Sequence, residues 1–220
     1  MESALEKISN DTRRTPAQDR SRKRVDAILG AAKSLIAQKG SARLKIHEIA
    51  DLAEVTPASI YQYFPNKNAI TLALARETFD QTHAQLLANL PNTTDEAQVF
   101  DVLREIVEQF YQAYLEDPAL YDIWVSVTAD KSLNRLDIED SRRNADLIYD
   151  CLKQFYDDSK WSQLRHASFL LAHLAGAAVR MALNVGPDEG RALVNSFKAL
   201  INPAFMDSLL SNVEKESLDA

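Results

Sequence analysis

The sequence predicts an all-α protein, on two observations. Apolar residues recur at spacings of three and four along most of the chain, the period of amphipathic helices, and there are few of the β-branched alternations that mark strands. Glycine is scarce, at five in 220 residues, so few points interrupt the helical pattern. With 46% hydrophobic and 26% charged residues, the chain can bury a sizeable core, as one larger domain or one small plus one medium domain.

The elements follow in order. "RVDAILGAAKSLIAQKG" carries Val25, Ile28, Leu29, Ala32, Leu35 and Ile36 at helical spacing, and Gly40 suits its C-terminal cap. "KIHEIADLAEV" puts Ile46, Ile49, Ala50 and Ala53 on one face. Thr56 is a good N-cap and Pro57 a good first residue for a third helix, "PASIYQYF". Ile60 and Phe64 can face inward there, which leaves Ser59, Gln62 and Tyr63 outside. A helix of two turns is not stable alone and must be held by its neighbours. A fourth helix starts at Lys67 behind Asn66 as N-cap and runs through "AITLALARETFDQTHAQLLANL" to Pro91. "DEAQVFDVLREIVEQFYQAYLED" repeats apolar residues at Val99, Leu103, Ile106, Phe110 and Ala113, and Pro118 opens "PALYDIWVSVTAD". "DSRRNADLIYDCLKQFY" aligns Leu147, Ile148, Cys151, Leu152 and Phe155. "WSQLRHASFLLAHLAGAAVRMAL" is apolar over most of its circumference, so it must be covered on several sides. The last long helix, "PDEGRALVNSFKALI", ends before Pro203. Loops are short, near residues 91–94, 130–134, 158–161 and 184–188, and no repeat or low-complexity segment is present.

Several function classes are excluded or weakened. Cys151 is the only cysteine, so there is no intrachain disulfide and no cysteine-cluster zinc site, and a reducing cytoplasm is the expected location. The N-terminal segment is polar, without the apolar run of a secretory signal, and no apolar run approaches the roughly 20 residues of a bilayer span. No membrane partner is expected. There is no Gly-rich phosphate loop, no H-E-x-x-H and no G-x-S-x-G, and four scattered histidines make no metal site. No catalytic residue, metal or cofactor is expected.

Net charge is −7, which read globally argues against nucleic acid. The charge is split, however. From Arg13 to Lys67, eleven Lys and Arg face five Asp and Glu, and from Asn68 onward thirteen face twenty-four. A basic N-terminal module ahead of an acidic body suggests a nucleic-acid-binding end, with a solvated basic arm as the alternative. Arg20, Arg22, Lys23 and Arg24 lie at or before the first helix, where they reach phosphates or the minor groove, or remain solvated.

The second and third helices, joined by about four residues, form a helix-turn-helix, whose second helix enters the major groove. Lys67 then gains a reason to stand where a helix dipole disfavours a cation. The free N–H groups of the fourth helix, its dipole and the ammonium together make an anion site, and the anion is a DNA phosphate. Tyr61 and Tyr63 can donate hydroxyls to phosphates or pack against the backbone and base edges.

"IHEIADLAEVTPASIYQYFPNKNAI" resembles the DNA-binding signature of TetR-family transcriptional regulators, with Tyr61, Phe64 and Lys67 in its aromatic-rich end. The resemblance covers about residues 24–72. Glu54 departs from it, standing where the family carries glycine in the turn, and implies a mildly costly left-handed residue there. The resemblance implies that Tyr61 and Lys67 contact phosphates, and that Thr56 and Ser59 reach phosphate or base edges. It implies apolar contact from Pro57 and Ala58, and Gln62 and Tyr63 in or beside the groove, where Gln can pair with adenine. Lys45 and His47 would contact the backbone or a base. Ordinary packing or solvation is the alternative for each, and Ile60 and Phe64 are core.

The resemblance also implies a larger domain that binds a small molecule and dimerises through its last two long helices. Small residues at Ala172, Ala175, Gly176, Ala177 and Ala178 permit close helix approach, and Leu193, Phe197, Leu200 and Ile201 supply an apolar stripe. The same residues suit a monomer core. Candidate pocket residues are Phe79, His83, Phe110, Tyr114, Trp124, Tyr149 and His173, each with core packing as its alternative. His173 and Arg180, on one apolar helix, want polar partners.

The expected organisation is a flexible arm at 1–19, a helix-turn-helix domain at 20–66 and a ligand-binding and dimerisation domain at 67–220. The expected function is that of a ligand-responsive repressor. It would bind a palindromic duplex as a homodimer and be released by a small organic molecule, apolar or aromatic rather than highly charged. The alternative is an architectural DNA-binding protein of the same fold with no ligand.

Overall fold

The computed structural model describes residues 16–129 and 134–216. Among these the chain forms ten α-helices and no strand. They are α1 (Pro16–Lys39), α2 (Ile46–Leu52), α3 (Pro57–Tyr61), α4 (Lys67–Asn89), α5 (Glu96–Glu116), α6 (Pro118–Ala129), α7 (Asn134–Leu152), α8 (Trp161–Leu183), α9 (Pro187–Leu200) and α10 (Pro203–Glu216).

The predicted caps form. The Thr56 hydroxyl accepts from Ser59 N at 3.2 Å, and Asn66 Oδ1 accepts from Ala69 N at 2.9 Å. Gly40 ends α1 at φ 82° and donates to the Ile36 carbonyl. Glu54 takes φ 54°, the left-handed conformation expected of it, and is the only non-glycine residue with positive φ among those described.

Three features differ from the sequence reading. α1 begins at Pro16, so Arg20, Arg22, Lys23 and Arg24 stand on a helix and not in an arm; residues 1–15 lie outside the described residues. α7 begins at Asn134, six residues before the segment read as helical from Asp140, because its first two turns bury polar Asp137 and Ser141. α10 was not expected: Pro203, read as a stop, occupies its first position, where a missing N–H costs nothing.

The N-terminal unit packs α1, α2, α3 and the start of α4 around Ile28, Ala32, Ile36, Leu44, Ile49, Ile60, Phe64 and Ile70. Ile60 is fully buried and fastens the five-residue α3 to that core. In the body, α8 lies between α7 and α9 and also meets α5 and α10. Gly190 sets the α8–α9 crossing, since a Cβ there would stand 2.4 Å from the Ala182 carbonyl oxygen. Residues 158–183 are long and apolar enough, by length and composition, to cross a membrane, contrary to the expectation that no stretch is. In the fold this helix buries Leu164, Ser168, Leu171 and Val179 against its neighbours.

The two units meet through α1, α4 and α6. Lys33 pairs with Asp117 at 2.6 Å. In the turn after α1, Asp122 of α6 accepts from Ser41 N at 3.0 Å and from its hydroxyl at 2.5 Å, and Ser126 lies 2.5 Å from the same hydroxyl.

Candidate DNA-binding face and ligand cavity

α3 exposes Thr56, Pro57, Ala58, Tyr61 and Gln62, while Ile60 turns inward and leaves that outer face free. Tyr61 is 54% exposed, far more than an aromatic held for packing. Ser59 is half-buried and its hydroxyl has no hydrogen-bond partner among the described residues. Tyr63 is also half-buried, packs on the core and accepts from the Ser21 hydroxyl of α1 at 3.3 Å, so it ties α3 to α1 as well as edging the face. Lys45 and His47 are exposed at the start of α2. Glu48 beside them is held by Lys39, whose ammonium keeps its carboxyl below the usual range. Lys67 is exposed at the first position of α4 and donates to the Ala42 carbonyl at 3.2 Å. That bond steadies the turn leading into α2 and holds the ammonium beside the α4 N-terminus.

The body contains a cavity of about 80 Å³ between α4, α5, α6, α7 and α8. One side is aromatic and aliphatic: Phe79 and Leu86 of α4, Leu103, Ile106, Val107 and Phe110 of α5, and Trp124 of α6. Phe110 and Trp124 stand 5.4 Å apart at a tilt, and Tyr114 packs against both. The other side is polar, made by Asp137, Asp140, Ser141 and Asn144 of α7 with His173 of α8. Four of the seven pocket candidates therefore line it: Phe79, Phe110, Trp124 and His173. Tyr114 and Tyr149 do not; both are buried in the surrounding core, where apolar contact holds them. His83 does not line it either, but bonds Asn144 Oδ1 through Nδ1 at 2.9 Å.

The polar side is a linked set of hydrogen bonds. Trp124 Nε1 donates to Asp137 Oδ1 at 3.0 Å. Arg180 stacks over the Trp124 ring at 4.3 Å and reaches Asp137 Oδ2 only at 3.9 Å. Asp140 accepts from Arg143 at 3.1 Å and from Asn144 at 2.9 Å. Burial raises the Asp140 carboxyl to about 6, against the opposing pull of Arg143. Burial and the two nearby carboxylates hold the Tyr114 phenol well above its usual range. Asp137, Asp140, Ser141 and Asn144 were not singled out from the sequence, although their i, i+3, i+4, i+7 spacing was a readable signal of one polar helix face. The Asp122–Ser41 bonds carried no such signal, since they join residues 81 apart in sequence.

Residues 28–74 match the family described as bacterial regulatory proteins, tetR family, and residues 97–208 match the one described as tetracyclin repressor-like, C-terminal domain. The chain belongs to the TetR family. It is a DNA-binding transcriptional regulator of that family, which is not a family of enzymes. No curated protein sequence matches the chain. Among solved structures, a TetR-family regulator from Streptomyces coelicolor is 22% identical at TM-score 0.63, covering 84% of this chain and 99% of the other. RolR in complex with resorcinol is 21% identical at TM-score 0.58, covering 89% and 96%. FadR from Bacillus subtilis in complex with stearoyl-CoA is 18% identical at TM-score 0.58, covering 80% and 96%. These likenesses are of fold.

The TetR-family body also carries an apolar groove of about 330 Å³ on its outside, between α8, α9 and α10. Leu170, Leu174, Met181 and Leu200 stand in it at 38–52% exposure. The small residues of α8 divide between the two hollows. Ala172, Ala175 and Gly176 face the cavity, where a Cβ on Gly176 would stand 3.0 Å from the Trp124 ring, and Ala177 and Ala178 face the groove. Ile201, expected in an outer stripe, is buried and reaches both.

Proposed function

We propose that this TetR-family regulator is a cytoplasmic repressor that binds a palindromic operator as a homodimer and is released from it by a small organic molecule in the cavity. The observation that carries this reading is α4. One unbroken helix of 23 residues begins at exposed Lys67 beside α3 and contributes Phe79 and Leu86 to the cavity wall. A ligand that shifts the cavity end of α4 moves the end that positions α3. A second route runs through α6, where Trp124 faces the cavity and Asp122, two residues away, holds the Ser41 turn before α2. DNA and ligand then oppose each other by the same factor in both directions.

In this reading Tyr61 and Lys67 hold phosphates, while Thr56, Pro57, Ala58, Ser59 and Gln62 meet base edges or phosphates. Lys45 and His47 approach from α2, and Tyr63 supports α3 from beneath. The exposed groove on α8 and α9 is the dimer surface, because an apolar patch of that kind is normally covered. A cavity of about 80 Å³ is smaller than the roughly 150 Å³ that holds benzene in an engineered core, so even a single-ring compound must push the helices around it apart, as release from DNA requires. Resorcinol on RolR is a single ring and the nearer of the two in size, whereas stearoyl-CoA on FadR carries a long acyl chain.

The test is fluorescence anisotropy on palindromic duplexes selected from a random pool. One or two dimers should bind each site, affinity should fall steeply with salt as counterions are released, and a small aromatic compound should release the protein. DNA binding that survives removal of residues 1–66 would overturn the assignment of the face.

A further inference from the structure

The cavity can be read further, from its hydrogens, and this rests on the reading of the cavity as the ligand site. The Ser141 hydroxyl has one proton, and it goes to the Asp137 carbonyl at 2.8 Å. His173 Nδ1, 3.1 Å from the same oxygen, is then the donor, and in the neutral ring this makes Nε2 the acceptor. Asn144 turns its amide NH₂ to Asp140, so its oxygen accepts from His83, and that amide is spent within the protein. Asp137 Oδ2 stands 3.9 Å from Arg180, beyond hydrogen-bond reach, and keeps open lone pairs. The polar side thus offers two carboxylates and an imidazole, with the Ser141 and Asn144 donors already used. The donors left nearby are the Thr82 hydroxyl on the α4 wall and Arg180 Nη1, which has no hydrogen-bond partner among the described residues. No lysine or arginine is on the wall: Arg180 lies on the Trp124 ring, and Arg143 is turned outward to Asp80 at 2.7 Å. The opposite side presents Phe79, Phe110 and Trp124.

We propose that the cavity takes a compact aromatic molecule whose polar head donates hydrogen bonds, an amine or a phenol, and turns away aromatic carboxylates. A donating head satisfies the open acceptors of Asp137 and Asp140 while the ring lies among the aromatic side chains. An ammonium gains further from the carboxylates and the ring faces. A carboxylate head meets two like charges on the wall, and the nearest arginines, Arg180 and Arg143, already face Asp137 at 3.9 Å and Asp140 at 3.1 Å.

The experiment is calorimetric titration of the full-length protein at neutral pH with 2-phenylethylamine, 4-ethylphenol, ethylbenzene and phenylacetate. The amine and the phenol are expected to bind at least tenfold more tightly than the other two. Asp140→Asn, checked for folding by its thermal melt, is expected to weaken the amine at least tenfold and the phenol less than threefold, which separates the two head groups. If that variant does not fold, Asp137→Asn serves in its place. Ala172→Phe, which fills the cavity, is expected to abolish binding of both. Equal or tighter binding of phenylacetate or ethylbenzene that is lost in Ala172→Phe overturns the donor class and leaves the cavity standing as the ligand site. Binding that survives Ala172→Phe overturns the cavity reading itself, and no binding by any of the four overturns the proposal.

Discussion

The N-terminal unit and the body handle charge in opposite ways. Around α3, Arg22, Lys23, Arg24, Arg43, Lys45 and Lys67 are exposed, on surfaces where solvation is cheap and a phosphate can replace water. In the body the corresponding charges are paired, with the carboxylates Glu108 and Asp140 partly withdrawn from solvent. Glu108 of α5 holds Arg191 at 2.5 Å and Lys198 at 2.9 Å on α9, and Asp140 holds Arg143. The first arrangement keeps cations available to a polyanion. The second fixes helices in place and leaves a few acceptors aimed at a small space. A binding face for a large charged partner is therefore built from what the fold leaves outside, and a ligand cavity from what the fold has had to compensate inside.

The largest effect expected from breaking this contrast is at Ile60, the fully buried anchor of α3. Ile60→Ala should cost about 2–5 kcal/mol of stability and abolish operator binding, read by calorimetric melting and anisotropy. A variant that melts normally and still binds DNA would show that α3 is held by something else.

Next come the contacts of the exposed face. Gln62→Ala should change which base is preferred, by about 1–3 kcal/mol for a lost good contact. Lys67→Ala should weaken all sequences alike and reduce the salt slope by about one. Competition with a panel of mutated operators distinguishes the two. Equal loss on every operator for Gln62→Ala would remove it from base recognition.

The body should answer to pH, and its two key carboxylates have opposite signs. Bonds from Gln112, Lys198 and Arg191 hold the Glu108 carboxyl down to about 2 from an ordinary 4.5. Its stabilisation is therefore full above about 4.5 and is lost as pH falls through about 2. Asp140 is raised to about 6 from 3.8, so its stabilising protonated form is complete below about 3.8 and is lost as pH rises through 6. At pH 7, Glu108→Gln should cost about 1–2 kcal/mol after allowance for solvent screening, and the cost should vanish toward pH 2. Denaturant melts across pH test this, and a cost for Glu108→Gln that does not change with pH would contradict the pairing with α9.

The smallest effect sharpens the exposed side. Glu54→Gly relieves a left-handed residue and should stabilise by up to about 1 kcal/mol, while removing a carboxylate close to the DNA face and tightening operator binding. Thermal melts and anisotropy follow both, and weaker binding by Glu54→Gly would show that this carboxylate supports the face.

Much of this was legible in the sequence. Thr56 and Pro57 marked the start of α3, Asn66 and Lys67 that of α4, and Gly40 the end of α1, because capping depends on residues adjacent in the chain. Pro203 misled, since a proline that ends one helix can equally begin the next, and Pro16 sat in a stretch with no apolar period to announce a helix. In the cavity, aromatic type was readable but placement was not: Phe110 and Tyr114 are one turn apart on α5, yet only Phe110 reaches the wall.

By itself the sequence determined the helical class and the basic helix-turn-helix, since period, caps and short-range spacing settle these within a few turns. Of the residues read as outward on α3, Gln62 is exposed while Ser59 and Tyr63 are half-buried, Tyr63 because it packs on the core beside Ser21 of α1. The tertiary structure alone decided which aromatics surround a cavity and which fill core. It decided that Asp137 and Asp140 face that cavity, and that Asp122 holds the Ser41 turn. Each of these depends on the packing of helices distant in sequence, and a side chain's partner across such a contact leaves no trace in the residues beside it.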